Sequence, residues 1–249
     1  SMTLWLALLL TPLQAFVGDL HGLNVKQHQP VKLAAMEGIW PEREAGVPLL
    51  LFALPDKAAE KNHFELAIPK LASLILTHDA NGELAGLKAV PATDRPNVPV
   101  VFFSFRIMVG IGLLMILVAM AGAYLRWRGT LYHSRWFLTF CSYLAPSGII
   151  AVLAGWYVVE VGRQPWIVYG LLRTVDVVTP LPAERVLFSL TLFVLTYSLL
   201  FGVYLYFMRK LIRKGPPPLE QLHQQLIGVK ASGYAVALAK QLTPAQEQK

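Results

Sequence analysis

A carboxylate and a guanidinium close a long apolar stretch of this chain, where charged side chains need a reason. Residues 137–159 carry no charged side chain, and Glu160 and Arg163 follow them. The stretch has the length of a membrane-spanning helix. If the helix continues for another turn before Pro165 ends it, Trp156, Glu160 and Arg163 lie on one stripe. A carboxylate in the last turn faces the negative end of the helix dipole, so Glu160 requires a compensating cation, metal or cofactor.

Arg106 is a second charge at membrane depth. It lies roughly 12 Å into a predicted helix that begins at Pro99, at about 1.5 Å per residue. An arginine in this position faces the bundle interior or a polar cavity and needs an anionic partner. Met108 follows two residues later. A methionine in a membrane span usually serves packing, so the residues alone do not indicate a ligand role for Met108.

Lys32 and Glu37 lie in a predicted short helix over residues 30–40. Pro30 suits its first position and Gly38 suits its exit. The two charges are separated by about 140° around the helix, so they do not form a side-by-side ion pair. Sequence physics favours two solvated charges. The alternative is that they line different walls of a small-molecule site at the membrane surface, where the carboxylate accepts a proton.

Histidine and cysteine provide no recognisable metal or disulfide pattern. His21 and His28 match no common zinc spacing, and we interpret them as polar loop residues, with proton transfer as the alternative. Cys141 is the single cysteine of the chain and lies in an apolar stretch. It cannot form an internal disulfide, and we expect it to contribute to core packing.

Composition identifies a membrane protein. The chain is 55% hydrophobic and 15% charged, with a mean hydropathy of +0.50. Its net charge of +7 could suggest nucleic-acid binding. However, the basic residues follow membrane topology: Arg126, Arg128 and Arg135 fill one short loop, and Arg209, Lys210, Arg213 and Lys214 follow the last apolar stretch. The positive-inside rule places both groups in the cytoplasm, so we expect no nucleic-acid partner.

The predicted fold is an all-α integral membrane protein with four transmembrane helices and a long extracytoplasmic loop. The predicted segments are transmembrane helices 2–17, 100–125, 137–161 and 186–208, periplasmic loops 18–99 and 162–185, a cytoplasmic loop 126–136, and a cytoplasmic tail 209–249. The first helix is the weakest, being short or truncated. A signal peptide is disfavoured because no basic residue precedes it and no small-x-small cleavage site follows. Residues 41–95 are rich in polar and turn residues, which predicts a loosely ordered surface domain.

Several unusual segments together resemble subunit I of the cytochrome bd-type quinol:oxygen oxidases. They are Gly18-Asp19, the run from Gln29 to Gly38 with Trp40, the run from Phe103 to Gly110, Gly155-Trp156 with Glu160, and Gly162-Arg163-Gln164-Pro165-Trp166. The resemblance extends from about residue 4 to residue 210. The short polar region after Glu37 is similar to the short-loop, cyanide-insensitive branch of that family.

This resemblance implies a haem site at Met108 and Arg106 and a quinol site at Lys32 and Glu37. Met108 matches an axial ligand of the low-spin haem b iron, and Arg106 matches the arginine beside that haem. Lys32 and Glu37 match the quinol-site pair of the periplasmic loop that the family calls the Q-loop.

The resemblance also implies a second haem site around Glu160. Glu160 matches the carboxylate associated with the high-spin haem b iron, Trp156 a residue packed near the haems, and Arg163 part of the adjacent segment. A haem d or a further haem b would complete the cofactors. Glu160, Trp156 and Arg163 are thus the expected catalytic residues.

The implied activity is oxidation of quinol and reduction of dioxygen to water, with generation of a proton gradient across the bacterial inner membrane. The implied partner is a second oxidase subunit. The chain resembles only the C-terminal half of subunit I, so we expect the N-terminal half to be a further partner and the chain alone to be inactive. The alternative is a non-enzymatic transporter or channel subunit in which Arg106 and Glu160 line the path.

Overall fold

Helices dominate the computed structural model, which describes residues 2–178 and 180–215. This part of the chain contains seven α-helices: α1 (Met2–His28), α2 (Pro30–Glu37), α3 (Leu71–Thr77), α4 (Val98–Trp127), α5 (Arg135–Tyr143), α6 (Ser147–Arg163) and α7 (Ala183–Lys214). Residues up to Val178 form one compact unit, and α7 belongs to a second. Most of the predicted tail, residues 216–249, lies outside the described residues.

Short antiparallel sheets build the two connecting regions. Six strands of the described chain pair two by two: β1 (Arg43–Ala45) with β4 (Glu83–Ala85), β2 (Leu49–Asp56) with β3 (Lys61–Ile68), and β5 (Trp166–Val168) with β6 (Leu172–Arg173). The all-α prediction is therefore wrong for these regions, and residues 41–95 are more regular than expected. The largely apolar β2 and the mostly apolar second half of β3, joined by the turn at residues 57–60, form the β2–β3 hairpin.

Four described stretches are long and apolar enough to cross a membrane: Thr3–His28, Ala92–Trp127, Arg135–Arg163 and Ala183–Lys214. Their number confirms the predicted number of spans. The first helix is longer than expected, because α1 continues through residues 18–28. His21 and His28 therefore lie on a helix and not in a loop. The depth of each helix and the side of the membrane that each connection faces stay predictions.

The predicted third span is not one continuous helix. It consists of α5 and α6, separated by a turn at residues 144–146. The Ala145 N–H donates to the Ser142 carbonyl at 3.2 Å, and the Ser147 N–H donates to the Leu144 carbonyl at 2.9 Å. Pro146 explains the interruption, because proline has no N–H and disfavours a helical residue before it.

The short helix α2 lies at the centre of the first unit. Every residue from Val31 to Glu37 is buried, and the helix packs against α1, α4 and α6. Pro30 begins it and Gly38 ends it, as predicted, with Gly38 in the left-handed region at φ 72°. The helix is therefore enclosed on all its faces, including those that carry charged residues.

Side-chain hydrogen bonds fasten the connecting region to α1 and α2. Asn62 on β3 accepts a hydrogen bond from Nε1 of Trp40 at 2.8 Å and donates one to the carbonyl of Gly38 at 2.9 Å. Near the end of α1, Nζ of Lys26 donates to the carbonyl of Leu76 at 2.8 Å, which satisfies one of the free carbonyls at the end of α3.

Gly38→Ala is expected to destabilise the protein by roughly 1–3 kcal/mol. A positive φ costs a residue with a Cβ about 1–2 kcal/mol. The added Cβ would also lie 3.2 Å from side-chain atoms of Leu50 and Phe102, which crowds a closely packed site. Gly129→Ala is the matched control, because Gly129 has φ 71° but nothing within 4 Å of an added Cβ. Thermal unfolding of the detergent-solubilised protein measures both losses, and equal losses would show that crowding contributes nothing.

Candidate functional site

Arg106 on α4 binds three groups from two other segments. Its Nη2 donates to Oε2 of Glu37 at 2.9 Å, its Nη1 donates to the carbonyl of Met36 at 2.7 Å, and its Nε donates to the carbonyl of Leu50 at 2.6 Å. The anionic partner that Arg106 was predicted to need is therefore Glu37, at the last position of α2. Charge-assisted hydrogen bonds of this kind are stronger than neutral ones, so they fix α2 and β2 on α4.

Aromatic rings shield the Arg106–Glu37 ion pair. The guanidinium carbon lies 4.3 Å from the ring centre of Phe102 and 5.3 Å from that of Phe105. The side chains of Arg106 and Glu37 are only 15% and 6% exposed. Burial raises the pKa of the Glu37 carboxyl, and the Arg106 guanidinium opposes that shift. The pKa of this carboxyl is thus determined by two opposing effects, burial and the arginine partner.

Lys32 lies on another side of α2 and contacts α6. An added Cβ at Gly162 would lie 3.2 Å from Cγ of Lys32, so the lysine stem crosses the bare backbone of the last turn of α6. Lys32 is 7% exposed. Burial lowers the pKa of its ammonium group, the Arg163 guanidinium lowers it further, and the Glu160 carboxylate raises it. The expectation that Lys32 and Glu37 are solvated is wrong, since both are buried.

Glu160 and Arg163 form an ion pair at the end of α6, with 2.6 Å between Oε2 and Nη2. This is the compensating cation that Glu160 was predicted to require at a helix C-terminus. Both side chains are nearly half exposed, and Trp156 on the preceding turn is also exposed. The three predicted residues thus share an accessible part of the α6 surface, where a further group could bind.

Met108 contacts α6, whereas Arg106 contacts α2. Positions 106 and 108 are separated by about 200° around the helix axis, so the two side chains leave α4 in different directions. An added Cβ at Gly155 would lie 2.9 Å from Sδ of Met108. The thioether is therefore packed against α6 at Gly155, one residue before Trp156 in the sequence.

An open cleft of about 300 Å³ adjoins Glu37. Its lining includes Glu37, Trp40, Glu44, Asn62, Glu65 and Lys88. Sequence reasoning gave no role to Glu44, Asn62 or Glu65. Their spacing along the chain carries no signal, because Glu44 lies on β1 and the other two lie on β3, in different sheets that only the tertiary fold brings to one cleft. Burial, followed by the nearby Glu65 carboxylate, raises the pKa of Glu44. Glu37 thus connects the buried arginine with a polar, solvent-accessible space.

The predicted histidines stay apart from this arrangement. His21 and His28 are exposed on α1, and Nδ1 of His28 lies 3.0 Å from the carbonyl of Asn24. Within residues 2–178 and 180–215, no three His, Cys, Asp or Glu side chains are grouped closely enough to hold a metal ion. Among the described residues, the predicted site therefore contains two ion pairs, Glu37–Arg106 and Glu160–Arg163, together with Lys32, which is in no ion pair.

Comparison with known proteins defines a class of respiratory membrane proteins. The family model for cytochrome bd terminal oxidase subunit I matches residues 1–216. The chain is 34% identical to cytochrome bd ubiquinol oxidase subunit 1 of Bacillus subtilis, over 80% of this chain and 44% of that protein. It is 30% identical to cytochrome bd-II ubiquinol oxidase subunit 1 of Escherichia coli, over 82% of this chain and 52% of that protein. The chain thus spans about half the length of these relatives.

The fold gives the same result. A chain in the structure of the bd oxidase from Geobacillus thermodenitrificans superimposes with a TM-score of 0.73 at 30% identity, over 86% of this chain and 49% of that chain. This chain belongs to the cytochrome bd terminal oxidase subunit I family. The family supports the oxidase hypothesis over the transporter alternative, in which Arg106 and Glu160 would line a path.

Arg106→Gln is expected to destabilise the protein by about 3–5 kcal/mol, because it leaves the Glu37 carboxylate buried without a partner. Lys88→Gln is the matched control. It breaks an exposed pair with Glu60, 3.5 Å long, and such pairs contribute about 0–1 kcal/mol. Thermal unfolding of both variants checks the difference. A loss in Arg106→Gln no larger than in the control would contradict a structural role for the buried pair.

Proposed function

We propose that this chain forms part of a terminal oxidase that oxidises quinol beside Glu37 and reduces dioxygen to water. The observation that carries the proposal is the buried Glu37–Arg106 ion pair at an open cleft. A buried carboxylate with access to a cleft is suited to accept a proton from a substrate. The names of the relatives, which are ubiquinol oxidase subunits, support quinol as the substrate class.

In this proposal Glu37 acts on one hydroxyl group of quinol at the cleft, and Lys32, which faces α6 and does not line that cleft, acts on the other. The Glu37 carboxylate accepts a proton as the substrate loses an electron, and its raised pKa brings it closer to the neutral range in which general bases work efficiently. Arg106 keeps the carboxylate oriented through Oε2. Lys32 provides a hydrogen-bond donor that forms no hydrogen bond with the described residues, although the Glu160 carboxylate is near enough to act on its charge. Substrate binding would therefore give the lysine a partner.

The donor groups of the described residues fit haem b. Met108 offers a thioether and the half-exposed Glu160 offers a carboxylate, with Trp156 exposed beside it. In the proposed arrangement Met108 would hold the low-spin haem b iron, and Glu160 would hold the high-spin haem b iron with Arg163 as counter-ion. Arg106, which leaves α4 in a different direction from Met108, would contribute its positive charge to the low-spin haem site. Bound haem, including haem d or a further haem b, would supply the electron transfers and the reduction of dioxygen.

The remaining assignments concern the assembled enzyme. We assign a second oxidase subunit and the other half of subunit I as partners, and the bacterial inner membrane as the location. The basic residues at the C-terminal ends of α4 and α7, with Arg128 and Arg135 beyond α4's last turn, support a cytoplasmic position for those ends. The Q-loop, with Lys32 and Glu37, then faces the periplasm, so protons from quinol leave on that side and contribute to the proton gradient.

Glu37→Gln in the complete oxidase is expected to lower quinol turnover roughly 100-fold, because an amide cannot accept the proton. Oxygen uptake with an artificial donor that bypasses the quinol site should persist. The wild-type rate with quinol should fall as the pH drops through the raised pKa of Glu37, above the ordinary value of 4.5, and the variant should lack this acid limb. Glu42→Gln, at an exposed position, is the control. Equal losses with both donors would instead indicate a structural role.

Met108→Leu in the complete oxidase is expected to abolish the absorption of low-spin haem b without loss of folding, because leucine has no donor atom. The matched control is Met115→Leu, seven residues along the same helix and also facing α6. Reduced-minus-oxidised spectra of the two variants check this. A wild-type spectrum for Met108→Leu would remove Met108 from the ligand set.

A further inference from the structure

Three glycines of α6 lie on one face of the helix at intervals of seven residues: Gly148, Gly155 and Gly162. Two of them face α4: an added Cβ at Gly148 would lie 3.7 Å from Cε of Met115, and one at Gly155 would lie 2.9 Å from Sδ of Met108. Met108 and Met115 are also seven residues apart but occur in the opposite order. The two helices therefore pack antiparallel with a regular register, and each glycine receives one long side chain.

At Gly162, the third glycine, the neighbour is Lys32 of α2. An added Cβ would lie 3.2 Å from Cγ, 3.3 Å from Cε and 3.5 Å from Cδ of the lysine. The lysine stem thus lies along the helix backbone over most of its length. Only glycine leaves this space open, because every other residue carries a Cβ.

The contact of the stem with Gly162 is not supplemented by a hydrogen bond from the Lys32 ammonium to a described residue. Within the described part of the chain it forms no hydrogen bond or ion pair, although Glu160 and Arg163 are near enough to act on it electrostatically. The stem of a lysine is flexible, so without a hydrogen bond or ion pair its path is determined mainly by the surface it packs against. The packing surface is the backbone at Gly162.

We infer that Gly162 is a positioning residue for quinol oxidation. The missing side chain at this turn of α6 determines where the Lys32 ammonium meets the substrate. A methyl group at position 162 would push the stem away from the helix and displace the ammonium at its far end. This inference rests on the proposed role of Lys32 in quinol binding.

Gly162→Ala in the complete oxidase tests the inference, with Gly148→Ala as the matched control on the same helix. We expect Gly162→Ala to raise the KM for quinol and to lower kcat/KM roughly tenfold, since small misplacements of binding groups have effects of this size or larger. Haem spectra and oxygen uptake with an artificial donor should be unchanged. The melting temperature should stay the same or rise, because alanine favours helices. The control should retain the wild-type KM, since its Cβ meets only ordinary contacts.

Lys32→Met distinguishes the proposed role of Lys32 in quinol binding from the positioning role of Gly162. An unchanged KM in Lys32→Met would show that the proposed role of Lys32 is wrong. A raised KM in Lys32→Met with a wild-type KM in Gly162→Ala would overturn the positioning role alone. In the double variant, Gly162→Ala should add nothing to Lys32→Met, and additive effects would also overturn it.

Failure of Gly162→Ala to assemble is also informative. Lys32→Ala combined with Gly162→Ala removes the stem that the new methyl group meets. Recovery of haem content in this double variant would support the contact between the two positions. No recovery would show that Gly162 serves the fold and does not act through Lys32.

Discussion

The guanidinium of Arg106 is the interaction on which the first unit depends. Three of its nitrogen atoms bind the last two residues of α2 and the backbone of β2, all at 2.9 Å or less. Each partner would be costly to bury alone, since an unpaired buried carboxylate or carbonyl loses its hydration without compensation. One side chain on α4 therefore permits both a buried charged helix and a hairpin packed beside it. The cleft next to Glu37 exists because these elements are held together at that point.

The two charges of α2 serve different neighbours. Glu37 contacts α4 through Arg106, and Lys32 contacts α6 at Gly162. Their spacing around α2 prevents an ion pair between them. It allows the short helix to contact α4 through Glu37 and α6 through Lys32. Those helices carry the two proposed iron ligands, Met108 and Glu160. In the proposed arrangement, a substrate that contacts Lys32 and Glu37 would therefore lie near the two helices proposed to carry haem ligands, and the distance between the sites would depend on helix packing.

Local sequence signals predicted the features that local physics determines. Pro30 and Gly38 marked the ends of α2, and the isolated charges Arg106 and Glu160 indicated that compensating partners were needed. The partner of Arg106 could not be identified, because Glu37 lies 69 positions away. Burial of α2 and the pairing of β1 with β4 likewise depend on distant contacts that no periodicity reveals. The break between α5 and α6 could have been predicted from the sequence, because Pro146 interrupts helices. The uninterrupted hydrophobicity of residues 137–159 favoured a single span instead.

The chemical nature of the Arg106 contacts has a consequence for how this protein can vary. Two of the three acceptors are main-chain carbonyls, at Met36 and Leu50. A carbonyl is present whichever amino acid occupies the position, so side-chain replacements there leave the acceptor in place. Substitutions at these two buried positions are therefore limited by the volume and polarity of the new side chain, whereas a change at position 106 alone leaves the Glu37 carboxylate without its partner. The contacts of Arg106 therefore depend on the path of the backbone as much as on the identity of the side chains.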